Sequence, residues 1–296
     1  MAEPEKPVGS EFDDGQLTQA VLASFEGSTN DRLRTVMLSL VRHLHAFVRE
    51  VELTEEEWAR GIDFLTRTGQ GTSDKRQEFI LLSDVLGISM LTIGINNRRP
   101  VEATESTVFG PFFVTGSPRF DAGADIAAGA PGEPCLVQGR VRSLDGEPVV
   151  SARIEVWQAD DEGLYDVQYA ELDHARLRGH LFSDGDGRFW FWTVKPTAYP
   201  IPTDGPVGEL LGAAGRGVMR PAHVHFMVEA TGFQKLVTHV FVAGDPHLDA
   251  DAVFGVKRSL VTAFQRHEPG TAPDGKVLEV PFYTATYDLV LAPTDR

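Results

Sequence analysis

Arg220-Pro221-Ala222-His223-Val224-His225-Phe226-Met227-Val228 reads as a β-strand entered through a proline. Alternate side chains of a strand share a face, so His223 and His225 can converge on one metal while Val224 and Phe226 face the other way. The other His-x-His, His43-Leu44-His45, sits in a helical pattern, where positions two apart diverge by about 200°. That pair is read as helix surface. Taken alone, the strand pair leaves two readings open, a metal site and ordinary hydrogen-bonded histidines.

From about residue 101 onward Gly and Pro punctuation is frequent, and β-rich runs at 136–141, 154–157 and 189–194 alternate with turn sequences. This predicts antiparallel strands in a sandwich or barrel. Ser183-Asp184-Gly185-Asp186-Gly187 supplies the residues that a tight hairpin needs. Before residue 100 the pattern is helical: Leu33, Val36, Met37, Leu40, Leu44 and Phe47 recur on one face, and this stripe is expected to pack. Thr54-Glu55-Glu56-Glu57 reads as a capping box that starts another helix, and residues 75–97 as one or two more. The first fifteen residues are polar enough for a disordered tail. The fold class expected is α+β, an N-terminal helical region over residues 1–103 followed by an antiparallel β-sandwich over 104–296.

With 296 residues, 42% hydrophobic and 24% charged, the chain is long enough to bury a core without disulfides. Its net charge of −16 repels phosphate backbones and anionic headgroups, which argues against nucleic acid as a partner. The single cysteine, Cys135, lies in an apolar run and is read as a buried thiol. No run of about eighteen apolar residues suggests membrane insertion. The N-terminal residues lack a basic segment followed by an apolar one, so a cytoplasmic location is the expectation.

Of the five tyrosines, two lie in irregular segments beside expected strands, Gly163-Leu164-Tyr165-Asp166 and Pro196-Thr197-Ala198-Tyr199-Pro200. Loops at the end of a sandwich are where sites are usually built. The alternative is that these rings cover a sheet edge with their hydroxyls in water.

The sequence resembles the intradiol ring-cleavage dioxygenases. The match runs through Val108-Phe109-Gly110-Pro111-Phe112, then Glu155-Val156-Trp157-Gln158-Ala159-Asp160 leading to Tyr165, then Arg178-Gly179-His180-Leu181-Phe182-Ser183-Asp184. It continues in Tyr199-Pro200-Ile201-Pro202 and in the 220–226 strand, and it is dense over residues 104–245. The resemblance implies that residues 104–296 are catalytic and hold one Fe(III) per subunit through Tyr165, Tyr199, His223 and His225, with a solvent hydroxide. It implies further that a catecholic substrate displaces the hydroxide and Tyr199, which take up the substrate protons. Arg220 matches the family's active-site arginine, although strict alternation from His223 puts it on the opposite strand face. A homodimer joined through the N-terminal helices, sometimes with a lipid in the interface, is also implied.

His239 stands where catechol-cleaving relatives place Gln, and with the segment Leu81-Leu82-Ser83-Asp84-Val85 it resembles the hydroxyquinol-cleaving branch. The substrates so implied are hydroxyquinol (benzene-1,2,4-triol) and O2, giving 3-hydroxymuconate or its keto form maleylacetate; catechol or chlorocatechol is the alternative. Asp84 is expected to accept from the third hydroxyl, with Leu81, Val85 and Phe254 as the apolar wall and Val108, Gly110 and Pro111 beside them. Two other classes compete. Gly217, His223, His225 and Glu229 fit a cupin opening, although no second motif supplies a third histidine; and a sandwich can bind a partner through its loops without catalysis.

Overall fold

The computed structural model describes residues 14–73 and 76–294. The chain divides into two compact units, Met1–Thr66 and Arg67–Arg296. Most of the expected polar tail lies outside the described residues, as does Lys75, where the 75–97 helical stretch was expected to begin; Asp14 and Gly15 already belong to the first helix.

Unit one holds α1 (Asp14–Glu26), α2 (Asp31–Glu50) and most of α3 (Glu55–Gln70). Asn30 caps α2 by accepting from the Leu33 N–H at 2.9 Å. The capping box at α3 forms in both directions: the Thr54 hydroxyl accepts from the Glu57 N–H at 3.2 Å, and the Glu57 carboxylate accepts from the Thr54 N–H at 3.0 Å. His45 is not simply helix surface, because its Nδ1 meets the Thr18 hydroxyl at 2.9 Å and joins α2 to α1. The stripe of Leu33, Val36, Leu40, Leu44 and Phe47 was expected to pack, yet all five side chains are exposed.

Unit two begins with α4 (Glu78–Val85) and α5 (Ile88–Asn96), parted by Gly87 at φ 72°. Among the described residues no single helix is long and apolar enough to cross a membrane; α4 and α5 pass that test only together, and they are bent by 78°. One sheet runs β3 (Arg178–Phe182), β2 (Arg153–Trp157), β7 (His223–Glu229), β8 (Leu236–Val242), β9 (Val261–Thr262). The facing sheet runs β10 (Phe264–His267), β13 (Phe282–Thr286), β1 (Pro134–Ser143), β14 (Leu289–Leu291), with β4 (Arg188–Val194) also on β1. Two short ribbons, β5 (Tyr199–Pro200) with β6 (Met219–Arg220) and β11 (Gly270–Thr271) with β12 (Val277–Leu278), helix α6 (Pro206–Ala213) and two 3-10 turns, Asp166–Gln168 and Arg258–Leu260, complete the described elements.

The sheets are mixed, not purely antiparallel: β13 and β14 each lie parallel to β1, and β9 lies parallel to β8. Parallel partners need long crossovers, and pairings across such distances leave no mark in turn chemistry. The Ser183–Gly187 turn closes as expected, with the Asp184 N–H on the Arg188 carbonyl at 2.9 Å and Gly187 at φ 74°. It joins two sheets, however, because β3 pairs with β2 while β4 pairs with β1. Cys135, Val137, Ile154, Val156, Phe189, Phe191, Val224, Phe226 and Val228 fill the space between the sheets. Burial pushes the Cys135 thiol far above its ordinary value, so it acts as packing. The opposite faces of β2, β7 and β8 are buried as well, and there the candidate site is built.

Candidate active site

Antiparallel register sets Trp157, His225 and His239 side by side across β2, β7 and β8, with Phe241 opposite His223. Trp157 stacks on His225 at 4.7 Å and 14°, and the His225 and His239 rings meet edge to face at 4.1 Å. His223 Nδ1 donates to the Pro221 carbonyl at 2.6 Å, which fixes the tautomer and leaves Nε2 with its lone pair. That Nε2 lies 3.1 Å from His225 Nε2.

Two loops bring the tyrosines to the same point. Tyr165 Oη lies 2.8 Å from His225 Nε2 and 2.9 Å from Tyr199 Oη, and both rings are buried. The Tyr165 segment is clamped by Asp166, whose carboxylate takes the Arg178 Nε at 2.9 Å and Nη2 at 2.5 Å, and Phe112 stacks on the Tyr165 ring at 4.4 Å. Gly163 lets the two segments approach. At φ 82° it occupies a conformation that L side chains rarely adopt, and a Cβ there would stand 2.5 Å from the Tyr199 Cβ.

Arg220 pairs across β5–β6 with Tyr199. The strand breaks at Pro221-Ala222 before β7 resumes, and the break turns Arg220 onto the histidine side, with Nη1 3.2 Å from His223 Nε2 and Nη2 3.4 Å from His239 Nδ1. Asp251 holds the guanidinium at 3.2 Å from Nε and itself accepts the Gly255 N–H at 2.8 Å. Burial opposes the Arg220 charge, but Asp251 and the tyrosines raise its pKa well beyond the ordinary value, so it stays charged.

Burial drives all three imidazoles far below their ordinary value; Arg220 adds to the effect at each, and neighbouring histidines add to it at His225 and His239. Burial likewise raises the Tyr165 phenol, and the adjacent Tyr199 adds to it, so without a bound cation Tyr165 keeps its proton. Neutral imidazoles with converging lone pairs, the Tyr199 oxygen and a Tyr165 phenol that only a strong positive charge would ionise form a donor set suited to a hard, highly charged metal. His223, His225 and His239 present ligand atoms within 4.8 Å of one another, so the structure does supply the third histidine that the cupin reading lacked. Its Nδ1, however, faces the Arg220 N–H, while Glu229 pairs with Lys235 at 2.9 Å and takes no part.

The substrate-side residues gather around α4. Leu81 and Val85 pack with Val108, Ile201, Val207, Ala252 and Val253. Asp84 stands on the same helical face as Leu81 and is only 4% exposed. Burial raises its pKa, while Ser89 and Arg220 favour the ionised form. Glu78 anchors the start of α4 by accepting the Val207 N–H at 3.1 Å, and Arg216 ties the Val85 carbonyl to that of Ala252. Gly110, at φ 78°, places its Cα against His225, where a Cβ would meet Cε1 at 3.1 Å. Pro111, with Leu81 and Phe112, lines a cavity of about 300 Å³.

Phe254 departs from expectation. It is 53% exposed, its ring lies against Gly87 and under the Arg216 guanidinium, and its neighbour Val253 fills the wall instead. Sequence reasoning also missed Asp251, Val253 and the Arg178–Asp166 clamp, which no local spacing marks. Gly163 was within reach, since a glycine two residues before a loop tyrosine is a turn signal.

A family model described as "Dioxygenase" matches residues 108–293, and one described as "Catechol dioxygenase N terminus" matches residues 30–104. The chain is 57% identical over 278 residues to a hydroxyquinol 1,2-dioxygenase of Nocardioides simplex, covering 94% of each chain. To a 6-chlorohydroxyquinol 1,2-dioxygenase of Cupriavidus pinatubonensis it is 56% identical over 284 residues, covering 96% of this chain and 99% of the other. The crystal structure of hydroxyquinol 1,2-dioxygenase from Pseudomonas putida DLL-E4 matches with a TM-score of 0.88 at 50% identity, over 95% of this chain and 98% of that one. Two family models that together cover most of the sequence, and relatives this similar along nearly their whole length, place the chain in the intradiol ring-cleavage dioxygenase family.

Proposed function

We propose that the chain cleaves hydroxyquinol with O2 between its two vicinal hydroxylated carbons, giving 3-hydroxymuconate, which tautomerises to maleylacetate. The observation that carries the substrate is Asp84, a carboxylate buried in an otherwise apolar wall beside Leu81, Val85 and Val108. A carboxylate there gains a partner from the third hydroxyl of hydroxyquinol and none from catechol. The relatives named above, which act on hydroxyquinol or its chlorinated form, support the same choice.

Family membership implies a non-haem iron cofactor. Tyr165, Tyr199, His223 and His225 would hold it, one Fe(III) per subunit, with His239 left to Arg220. Bound there, ferric iron supplies Lewis acidity toward the two vicinal substrate oxygens and the electron demand that opens the ring to O2.

The chain's own groups do the rest. Tyr199 Oη takes the proton that leaves a substrate hydroxyl and returns it when product departs. Arg220, fixed by Asp251 and permanently charged, stabilises negative charge on the substrate oxygens. His239 buttresses Arg220 at 3.4 Å, and Asp84 orients the ring through its third hydroxyl. Val108, Pro111 and Phe112 keep water from the ring faces.

The division into a helical region to residue 103 and a catalytic region from 104 belongs to the proposal, with α4 lending Leu81, Asp84 and Val85 to the pocket. The exposed α2 stripe supports a homodimer formed through the helices.

Purified enzyme tests the reading directly. Expected are one iron per chain, a tyrosinate-to-iron absorption band in the visible, higher kcat/KM for hydroxyquinol than for catechol, and both atoms of labelled O2 in the diacid. A semialdehyde product, or equal or better efficiency on catechol, overturns it.

A further inference from the structure

Arg99 is a half-buried cation without an anion. Its Nη2 donates to the Lys235 carbonyl, but Nε and Nη1 are buried with no hydrogen-bond partner, and no carboxylate pairs with it among the described residues. Ser106, 5% exposed, likewise has a buried and unpartnered Oγ. Both residues line one cavity of about 480 Å³, together with Arg98, Lys257 and Ser259. The acid on that wall, Glu105, is already engaged by Lys257 Nζ at 3.3 Å and by the Ser259 hydroxyl. The cavity therefore carries an excess of positive charge within a chain whose net charge is −16.

Buried donors left unsatisfied are costly, and a buried guanidinium without a counterion more so. Burial alone accordingly holds the Arg99 pKa below its ordinary value. An apolar occupant would leave the three donors of Arg99 and Ser106 bare, and water would satisfy them without neutralising the charge. A compact group with several acceptor oxygens and negative charge does both. None of the residues around this cavity belongs to the Tyr–His cluster, and Ile93 alone among them also packs against the α4 wall.

We infer that the cavity lined by Arg98, Arg99, Ser106 and Lys257 is a binding site for a small oxyanion, inorganic phosphate or a short-chain dicarboxylate, separate from the catalytic centre. The inference stands on the cavity and its unpartnered donors and does not depend on which diol is cleaved.

The test is isothermal titration of phosphate, and separately of maleate, into iron-loaded enzyme held anaerobically with catechol. Filling the catalytic centre in this way keeps the anions off the iron, and ionic strength is held constant with chloride. Saturable binding of either anion is expected, with affinity lowered roughly tenfold or more in Arg99→Gln and also reduced in Ser106→Ala. The tighter of the two anions identifies the source of the ligand chemistry. If Arg99→Gln does not fold, Lys257→Gln at the cavity rim carries the comparison with Ser106→Ala. No saturable heat with either anion, or binding unaffected by these substitutions, overturns the inference and leaves water as the occupant.

Discussion

Asp84→Ala separates a substrate reader from a structural carboxylate. Asp84 is 4% exposed on α4, next to Leu81 and Val85, and it lies within electrostatic range of Arg220. A hydrogen bond to a charged acceptor contributes about 1.5–3 kcal/mol, so hydroxyquinol should lose roughly 10-fold to 150-fold in kcat/KM. Catechol should behave in the opposite sense. Beside Ser89 it leaves the buried carboxylate one hydrogen-bond partner short, at a cost of about 1–3 kcal/mol, and truncation removes that cost, so its efficiency holds or rises. The two shifts act together on the ratio, whereas general damage to α4 would lower both substrates alike. Oxygen consumption with both substrates, at matched iron content, reads the ratio. A parallel fall for both, or an unchanged ratio, would refute the role of Asp84.

Four further outcomes are expected. Asp251→Asn removes the counter-charge of buried Arg220 and should destabilise the fold by about 3 kcal/mol while lowering kcat/KM; unchanged urea unfolding together with unchanged turnover would contradict the ion pair. Gly163→Ala drives a methyl group to 2.5 Å from the Tyr199 Cβ, so iron retention and the visible band should both change relative to wild type. Tyr165→Phe should lose most iron, whereas Tyr199→Phe should retain some with an altered spectrum and little turnover, as iron analysis and absorption would show. In iron-free protein His223, His225 and His239 stay neutral well below the ordinary value of 6.5, while the unfolded chain takes up their protons. The contribution of these three to stability is therefore flat above that pH and falls as pH drops below it, by about 1.4 kcal/mol per pH unit for each imidazole, measurable as the difference from a His239→Gln variant in denaturant unfolding at a series of pH values.

Local periodicity by itself determined a good deal. It placed His223 and His225 on one face of a strand, started α3 at its capping box, and found the 183–187 turn, because each of these depends on neighbours within a few residues. Resemblance of motifs then pointed to Tyr165 and Tyr199, which spacing alone left as possible sheet-edge rings. Tertiary structure decided the rest. The 183–187 turn could have closed a hairpin, but β3 and β4 found different partners in different sheets. Two C-terminal strands came back parallel to β1, and the α2 stripe expected to pack was left exposed. The break at Pro221 brought Arg220 to the face that alternation denied it, Asp251 arrived 31 residues downstream to hold it, and Val253 displaced Phe254 from the wall. A strand's alternation is fixed by its own backbone, but which buried charge meets which counter-charge is fixed by the closure of long loops under packing, and that information is spread over the whole chain.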